Sequence, residues 1–141
     1  MKRFLLPFLL LISTSAFAGP NFYDYRIRRV IDGDTVEIVV PYLPTELGNF
    51  LKLRIYGVDT PEKGFRAQCS IEGTKAEAAT KFTEDAIATA KVKQIRLVKW
   101  DKYGGRVLGD VVLDGKSLRM MLIQNGHAVE YYGAKKKSWC E

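Results

Sequence analysis

The stretch RIYGVDTPE, residues 54–62, begins as an apolar strand and ends in two carboxylates separated by a threonine and a proline. In the wider segment 50–58, leucine and isoleucine alternate with polar residues, so Arg54 lies on the face opposite the leucines. A strand that carries a guanidinium group and leads directly to Asp59 and Glu62 indicates a functional site as well as a structural element.

Alternating residues on both sides of this stretch predict four further strands. They cover residues 21–31, 35–40, 94–100 and 106–113. The dipeptide Asp32-Gly33 predicts a tight hairpin between the first two, because both central residues of a type I′ turn need positive φ.

Two segments have helical spacing of apolar residues. The first runs from Thr74 to about Lys91 and is predicted to open with a capping box formed by Thr74 and Glu77; the second covers residues 116–124. Together with the strands they predict an α+β, mainly β fold, a five-stranded OB-type Greek-key barrel with two short-to-medium helices. Periodicity alone leaves an open α+β sheet as the alternative.

Residues 1–18 have the parts of a secretory signal peptide. A basic start is followed by an apolar run and by the small-residue cleavage motif Ala16-Phe17-Ala18. The alternative is an N-terminal membrane anchor, but the run is shorter than the roughly 20 residues that span a bilayer. We therefore expect an exported, periplasmic or secreted monomer, in which residues 19–141 form one domain that has no membrane attachment after cleavage.

Charge and cysteine content add two expectations. The formal charge of +6 would fall to +4 without Lys2 and Arg3, which favours a polyanionic partner without identifying it. Cys69 and Cys140 predict a disulfide in an exported chain, and it would tie the C-terminus to the loop after Glu62. Two free thiols are the alternative.

Acidic residues follow two of the predicted strands. Asp32 and Asp34 flank the first hairpin turn, and Asp59 and Glu62 follow the third strand. Carboxylates from two strand ends can meet at one rim of a barrel, and oxygen ligands suit a hard cation such as Ca²⁺. The turn does not need Asp34, which makes Asp34 the better ligand candidate, and the proline after Thr60 favours an extended backbone whose carbonyl could face the ion.

Two arginines belong with these acids. Arg54 precedes Asp59 on the third strand, and Arg106 opens the fifth strand. A guanidinium group binds phosphate bidentately and stays charged at any working pH. Either arginine alone would be interpreted as a surface residue, but the pair beside the acids predicts a phosphate-binding site.

With these residues in place, the chain resembles the staphylococcal nuclease, or thermonuclease, family. The matching segments are VIDGDT at 30–35, Arg54 with VDTPE at 58–62, and DKYGGR at 101–106, in the family's order and at about its spacing. The resemblance implies a single nuclease domain over residues 19–141. It also implies a Ca²⁺-dependent endonuclease that hydrolyses phosphodiester bonds in DNA and RNA and leaves 3′-phosphates.

The resemblance assigns roles to single residues. Asp34 and Asp59 match the family's Ca²⁺-binding carboxylates, and Thr60 matches its carbonyl ligand. Glu62 matches the acid that positions or deprotonates the attacking water.

Arg54 and Arg106 match the pair that holds the scissile phosphate. The residues that match the nucleotide site are Lys102, Tyr103 and Tyr132, the last with Tyr131 as the alternative. The turn before Arg106 has one glycine more than the family pattern. The sequence therefore does not define the direction in which the Arg106 side chain extends.

Three other functions remain as alternatives. The same barrel could be a non-catalytic OB-type module that binds nucleic acid or protein, or a structural envelope protein. The single histidine, His127, could form a thiol hydrolase with a cysteine, but no family signature surrounds either cysteine.

Overall fold

A mixed main sheet, a two-stranded antiparallel sheet of Val58–Asp59 and Val129–Glu130, and two helices form the part of the chain that the computed structural model describes, residues 21–141. The predicted signal peptide lies outside it. The elements in chain order are β1 Phe22–Tyr23, β2 Ile27–Asp32, β3 Thr35–Val39, β4 Phe50–Ile55, β5 Val58–Asp59, α1 Ser70–Thr89, β6 Lys93–Trp100, β7 Arg106–Leu113, β8 Lys116–Ser117, α2 Leu118–Gln124 and β9 Val129–Glu130. Single 3₁₀ turns lie at Thr45–Leu47 and Gly64–Arg66.

The five long strands lie side by side in the order β6-β7-β4-β3-β2. The β4–β7 pair is parallel and the other three neighbouring pairs are antiparallel. The N-terminal segment lies at both edges of the sheet, because β1 pairs with β6 at one end of the row and β2 is the strand at the other end, paired with β3. This arrangement confirms the predicted mainly β, OB-type fold, and the predicted first strand is divided in two where it passes from one edge to the other.

The core consists of alternate strand residues and the apolar face of α2. Its fully buried members are Val36, Ile38, Leu53, Ile55, Val58, Ile95, Val111, Leu118 and Leu122. Leu53 and Ile55 stand on either side of Arg54, so the period of two directs Arg54 away from the core, as predicted.

The start of α1 differs from the prediction. The helix begins at Ser70, and Cys69 is its N-cap, since its Sγ accepts a hydrogen bond from the backbone N–H of Glu72 at 3.4 Å. The predicted capping box of Thr74 and Glu77 is wrong, because Thr74 lies inside the helix and donates its hydroxyl proton to the carbonyl of Ser70 at 3.2 Å. No helix within residues 21–141 is both long and apolar enough to cross a membrane.

The C-terminal tail, residues 133–141, is held against α1. Cys69 and Cys140 form a disulfide, which confirms the predicted pairing. Lys75 adds a second attachment, since its ammonium donates to the carbonyls of Trp139 at 2.9 Å and Glu141 at 2.6 Å. A disulfide across 71 residues stabilises the fold by about 4 kcal/mol in the chain-entropy model, and this one also fixes where the tail lies.

Candidate active site

The β2–β3 hairpin places Asp34 beside the strand that carries Arg54. The carbonyl of Asp34 accepts a hydrogen bond from the N–H of Ile55 at 2.7 Å. On its other side the turn is held by α1, because the buried hydroxyl of Thr83 donates to the carbonyl of Gly33 at 2.7 Å. Sheet and helix therefore fix the turn together.

Arg54 lies between the two predicted metal-binding carboxylates. Its Nη2 is 3.2 Å from Oδ2 of Asp34 and 4.0 Å from Oδ1 of Asp59, and it donates to the carbonyl of Val58 at 3.3 Å. The Arg54 side chain is 19% exposed, so these contacts are partly shielded from solvent. Residues from two different strand ends thus meet at Arg54.

The carboxylates beside Arg54 are buried. The pKa of Asp34 is raised to about 7, because burial and the neighbouring Asp32 together outweigh the opposing charge of Arg54 and a hydrogen bond from Thr35. Asp59 is 2% exposed. Buried anions need positive charge nearby, and Arg54 supplies one such charge to both carboxylates.

A polar cavity of about 20 Å³, which we call the central cavity, adjoins these groups. The predicted site residues that line it are Asp34, Arg54, Thr60, Glu62 and Arg106. Its volume suits an ion or a water molecule.

The oxygen donors around the central cavity fit a hard cation. Within residues 21–141 no three His, Cys, Asp or Glu side chains are grouped closely enough to hold a metal, but the predicted set needs only Asp34, Asp59 and the Thr60 carbonyl. Asp34 and Thr60 line the central cavity, whereas Asp59 does not line it and is joined to it through Arg54. Water would complete the six to eight oxygen ligands that Ca²⁺ takes. Oδ1 of Asp32, which also lines the cavity, is buried and has no hydrogen-bond partner in the described part of the chain, so an acceptor is left for an ion or its water.

Both carboxylate oxygens of Glu62 contact cations. Oε2 lies 3.2 Å from Nε of Arg66, and Oε1 accepts from Nζ of Lys136 at 3.1 Å. The backbone is fixed as well, because Glu72 in the first turn of α1 accepts from the N–H groups of Glu62 at 3.0 Å and Gln68 at 2.7 Å. The loop that carries Glu62 is thereby attached to the helix.

The glycine-rich turn leads directly into the strand that Arg106 opens. Gly104 and Gly105 have φ of 68° and 64°, a conformation that glycine adopts readily and other residues rarely. Arg106 is the first residue of β7 and forms an ion pair with Asp101, with Nε 2.7 Å and Nη2 2.5 Å from Oδ2. Burial on its own raises the pKa of Asp101, but the hydrogen bond and charge of Arg106 outweigh it and lower that pKa. Arg106 lines the central cavity together with Arg54.

A second cavity, of about 540 Å³, extends from the two arginines and is called the aromatic cavity below. Its lining includes Lys102, Tyr103, Tyr131, Tyr132 and Lys136. The predicted nucleotide residues therefore lie together, and both alternatives for the last tyrosine line the same space.

Gly57 allows Tyr132 to approach the strand end. Its φ is +78°, and a Cβ at this position would lie 2.8 Å from the Tyr132 ring. The Tyr132 hydroxyl accepts from Nη2 of Arg119 at 2.9 Å, and its ring meets that of Tyr56 edge-on at 5.6 Å. The aromatic wall is therefore fixed from several sides.

Sequence reasoning missed three residues of this site. Lys136 belongs to a run of three lysines with the composition of a solvated tail, but its Nζ forms an ion pair with Oδ1 of Asp59 at 2.8 Å. The indole N–H of Trp139 donates to Oδ2 of Asp59 at 3.2 Å. Arg66 contacts Glu62 and lies 3.7 Å from Asp32. The predicted disulfide was the available signal, because it requires the tail to lie near the Glu62 loop.

These contacts shift the pKa of Lys136. Burial on its own lowers the pKa of the ammonium, but the hydrogen bonds and charges of Asp59 and Glu62 outweigh it and raise the pKa. Lys136 therefore stays protonated and adds a positive charge at the carboxylates.

Comparison with known proteins points to one family. The family model described as staphylococcal nuclease homologue matches residues 52–139. Endonuclease YhcR of Bacillus subtilis (strain 168) is 31% identical over 117 residues, which cover 78% of this chain and 9% of that protein. The SPbeta prophage-derived endonuclease YokF of the same strain is 32% identical over 108 residues, which cover 74% of this chain and 33% of that protein. The chain thus spans a third or less of the length of these relatives.

Proposed function

The chain belongs to the staphylococcal nuclease homologue family, and from this premise we propose that it is an exported, Ca²⁺-dependent endonuclease that hydrolyses phosphodiester bonds in DNA and RNA and leaves 3′-phosphates. The observation that carries the proposal is the convergence of acids and arginines from separate elements on one small polar cavity. Both similar proteins from Bacillus subtilis are named endonucleases, which supports the same reaction class.

Two arginines are suited to bind the phosphate. Arg54 and Arg106 line both the central and the aromatic cavity, so a phosphate at their boundary can be contacted from two sides. Fixed guanidinium groups stabilise the charge that grows on the equatorial oxygens of the transition state. Asp101 holds Arg106 in place through two contacts to one oxygen, which reduces the reorganisation needed during the reaction.

Glu62 is the residue that positions the attacking water and accepts its proton. Its carboxylate lines the central cavity beside the arginines, within a loop fixed by Glu72. Ca²⁺ bound by Asp34, Asp59 and the Thr60 carbonyl would supply Lewis-acid polarisation of a phosphate oxygen.

The aromatic cavity is suited to a nucleotide of either kind of nucleic acid. Lys102, Tyr103 and Tyr132 combine a cation with aromatic surfaces. Stacking on aromatic rings tolerates any base, which supports activity on both DNA and RNA. The positive charge of the chain, +6 for the full sequence, favours a polyanionic substrate.

Export and a monomeric state complete the proposal. Disulfides persist in oxidising compartments, so the Cys69–Cys140 bond supports the signal peptide proposed for residues 1–18. Periplasmic and secreted locations fit equally.

Digestion of single-stranded DNA and of RNA by purified residues 19–141 tests the function. We expect cleavage with Ca²⁺, no cleavage after chelation, and 3′-phosphate ends by mass spectrometry of the products. Glu62→Gln should lower kcat by about 10²- to 10⁴-fold, the usual contribution of a general base. Glu46→Gln, the same change on an exposed 3₁₀ turn, is the control and should keep full activity.

Either of two results would refute the proposal. Full activity in the presence of chelator would remove the Ca²⁺ dependence, and full activity of Glu62→Gln would remove its role. Stable binding of DNA without any product would favour the non-catalytic binding module instead.

A further inference from the structure

A third cavity borders Asp59 and Glu62, and none of the tyrosines of the aromatic cavity lines it. It has a volume of about 680 Å³ and lies between the 3₁₀ turn Gly64–Arg66 and the C-terminal tail. We call it the tail groove. The residues that matter for the argument are Phe65, Arg66, Lys136, Lys137 and Trp139, all of which line it.

The tail groove continues the path of the two other cavities. It shares Glu62 and Arg66 with the central cavity and Lys136 with the aromatic cavity. The central cavity therefore adjoins the aromatic cavity through Arg54 and Arg106 and the tail groove through Glu62 and Arg66, so a strand whose phosphate lies at the arginines and whose nucleoside fills the aromatic cavity can continue into this groove. An endonuclease substrate has nucleotides on both sides of the bond that is cut.

The groove offers the chemistry that single-stranded nucleic acid requires. Phe65 is 99% exposed, and an exposed ring beside a groove is a platform on which a base can stack. Lys137 on the opposite wall is exposed and can contact a phosphate. The carboxylate of Glu72, which also lines the groove, is already occupied by two backbone N–H groups.

The tail wall of the groove is held in place before any ligand arrives. The disulfide joins the tail to the start of α1, and Lys75 binds the carbonyls of Trp139 and Glu141. The indole of Trp139 is fixed by its hydrogen bond to Asp59. A wall that is already ordered loses little conformational entropy on binding.

We propose that the tail groove is a second nucleotide subsite, which binds the nucleotide on the opposite side of the scissile phosphate from the aromatic cavity. Phe65 stacks on its base, and Lys137 contacts the next phosphate. The inference rests on the proposed function, because it takes the aromatic cavity as the first nucleotide site.

Binding measurements test the subsite without requiring cleavage. Isothermal titration in the Glu62→Gln protein with Ca²⁺ would compare thymidine 3′,5′-bisphosphate, which is long enough for one subsite, with hexathymidylate, which spans both. Phe65→Ala should weaken hexathymidylate binding about fivefold to tenfold, the lower part of the range for base–aromatic stacking, and leave bisphosphate binding within about twofold. Tyr42→Ala is the control and should change the binding of neither ligand. Tyr42 is also an aromatic residue that is highly exposed, and it lines none of the three cavities.

Lys137→Met provides a second, independent variant. It should weaken hexathymidylate binding and reduce the slope of log K against log salt by about 0.7, the value for one phosphate contact on a single strand. An unchanged slope would show that Lys137 does not contact the strand.

The outcomes separate this inference from the proposed function. If Phe65→Ala leaves hexathymidylate binding unchanged, or weakens both ligands equally, the subsite is refuted and the nuclease function stands. If the effect of Phe65→Ala is selective for the hexamer but the wild-type protein cleaves nothing, the function fails and the subsite stands. Failure of both ligands to bind would overturn both.

Discussion

Replacing Lys136 with methionine should tighten Ca²⁺ binding about fivefold to thirtyfold. The Lys136 ammonium lies 2.8 Å from Asp59 and 3.1 Å from Glu62, and Asp59 is one of the proposed ligands. An ammonium group this close to Asp59 repels a divalent ion that binds the same carboxylate. Ion binding must therefore break at least the contact with Asp59.

The magnitude follows from the exposure of the two pairs. At an effective dielectric constant of about 20, each contact has a Coulomb energy on the order of 5 kcal/mol. Lys136 is 44% exposed, so hydration recovered on release offsets most of this energy, and exposed pairs are worth about 0.2–1 kcal/mol. Because Asp59 is buried, we expect a total of about 1–2 kcal/mol, and 1.4 kcal/mol corresponds to a tenfold change in Kd.

Titration calorimetry with Ca²⁺ alone measures this change without any substrate. A thermal melt adds a second readout, because Lys136→Met leaves Asp59 less compensated and should lower Tm without Ca²⁺, and Ca²⁺ should raise Tm more in the variant than in the wild type. Lys135→Met removes the same charge from an exposed neighbour and is the control. Equal or weaker Ca²⁺ affinity in Lys136→Met would refute the reasoning.

The disulfide should affect the same equilibrium. In a Cys69→Ser/Cys140→Ser variant, the tail would lose its covalent attachment to α1 and keep only the hydrogen bonds of Lys75 to that helix. The Lys136 ammonium would then be released more easily, and Ca²⁺ affinity should increase in the same direction as in Lys136→Met. Combining Lys136→Met with the two serine substitutions should increase Ca²⁺ affinity little beyond Lys136→Met alone, because both changes weaken the same contact of Lys136 with Asp59. Fully additive effects on Ca²⁺ affinity would contradict this shared cause.

Two further predictions concern the fold around the site. Gly57→Ala should lower the free energy of unfolding, measured in urea, by at least about 1–2 kcal/mol, because alanine disfavours left-handed φ and its Cβ would meet the Tyr132 ring. Gly115→Ala is the control, since this glycine has a similar φ and open space around it, and it should lower the free energy of unfolding by less. Glu37→Gln should flatten the pH dependence of Tm below about pH 5. Hydrogen bonds from two arginines, with Arg29 the larger cause, lower the pKa of Glu37 below its ordinary value of 4.5. The ionised Glu37 side chain therefore stabilises the fold fully above its ordinary pKa, and this stabilisation is lost as the pH falls through the lowered pKa. Identical pH profiles for variant and wild type would contradict this assignment.

The sheet could be predicted because its signals are local. The predicted strand 106–113 agrees with β7 at both ends, since a glycine-rich turn precedes it and Asp114-Gly115 follows it. The side of the strand on which Arg54 lies followed from a period of two. The division of the first strand into β1 and β2 could not be predicted, because it depends on pairing with β6 at one end and β3 at the other.

The start of α1 could not be predicted for a related reason. Thr74 and Glu77 have the sequence of a capping box, but a cap is used only where the chain enters the helix. Cys69 is fixed at that position by its bond to Cys140 and by the hydrogen bond from Glu72. Tertiary contacts decided between two local possibilities.

The candidate site divides in the same way. The acids and arginines that converge on the central cavity stand at strand ends, so the order of strands brings them together. Lys136 and Trp139 contact Asp59 from the C-terminal tail, although they lie 77 and 80 residues after it in the sequence. A run of three lysines has the composition of a solvated tail, and only the position of the disulfide distinguishes it from one.

The position of Lys136 connects the binding of a metal ion with the binding of a strand. Its side chain contacts two carboxylates and lines both the aromatic cavity and the tail groove. If an ion displaces the ammonium, the tail is still attached through Cys140, only four residues further on, so the charge remains close to the site. The nearest spaces open to it are the two cavities in which we propose that nucleotides bind, and both place phosphates beside it. Ca²⁺ binding should therefore increase the positive charge available to the strand, and Lys136→Met should show less enhancement of hexathymidylate affinity by Ca²⁺ than the wild type.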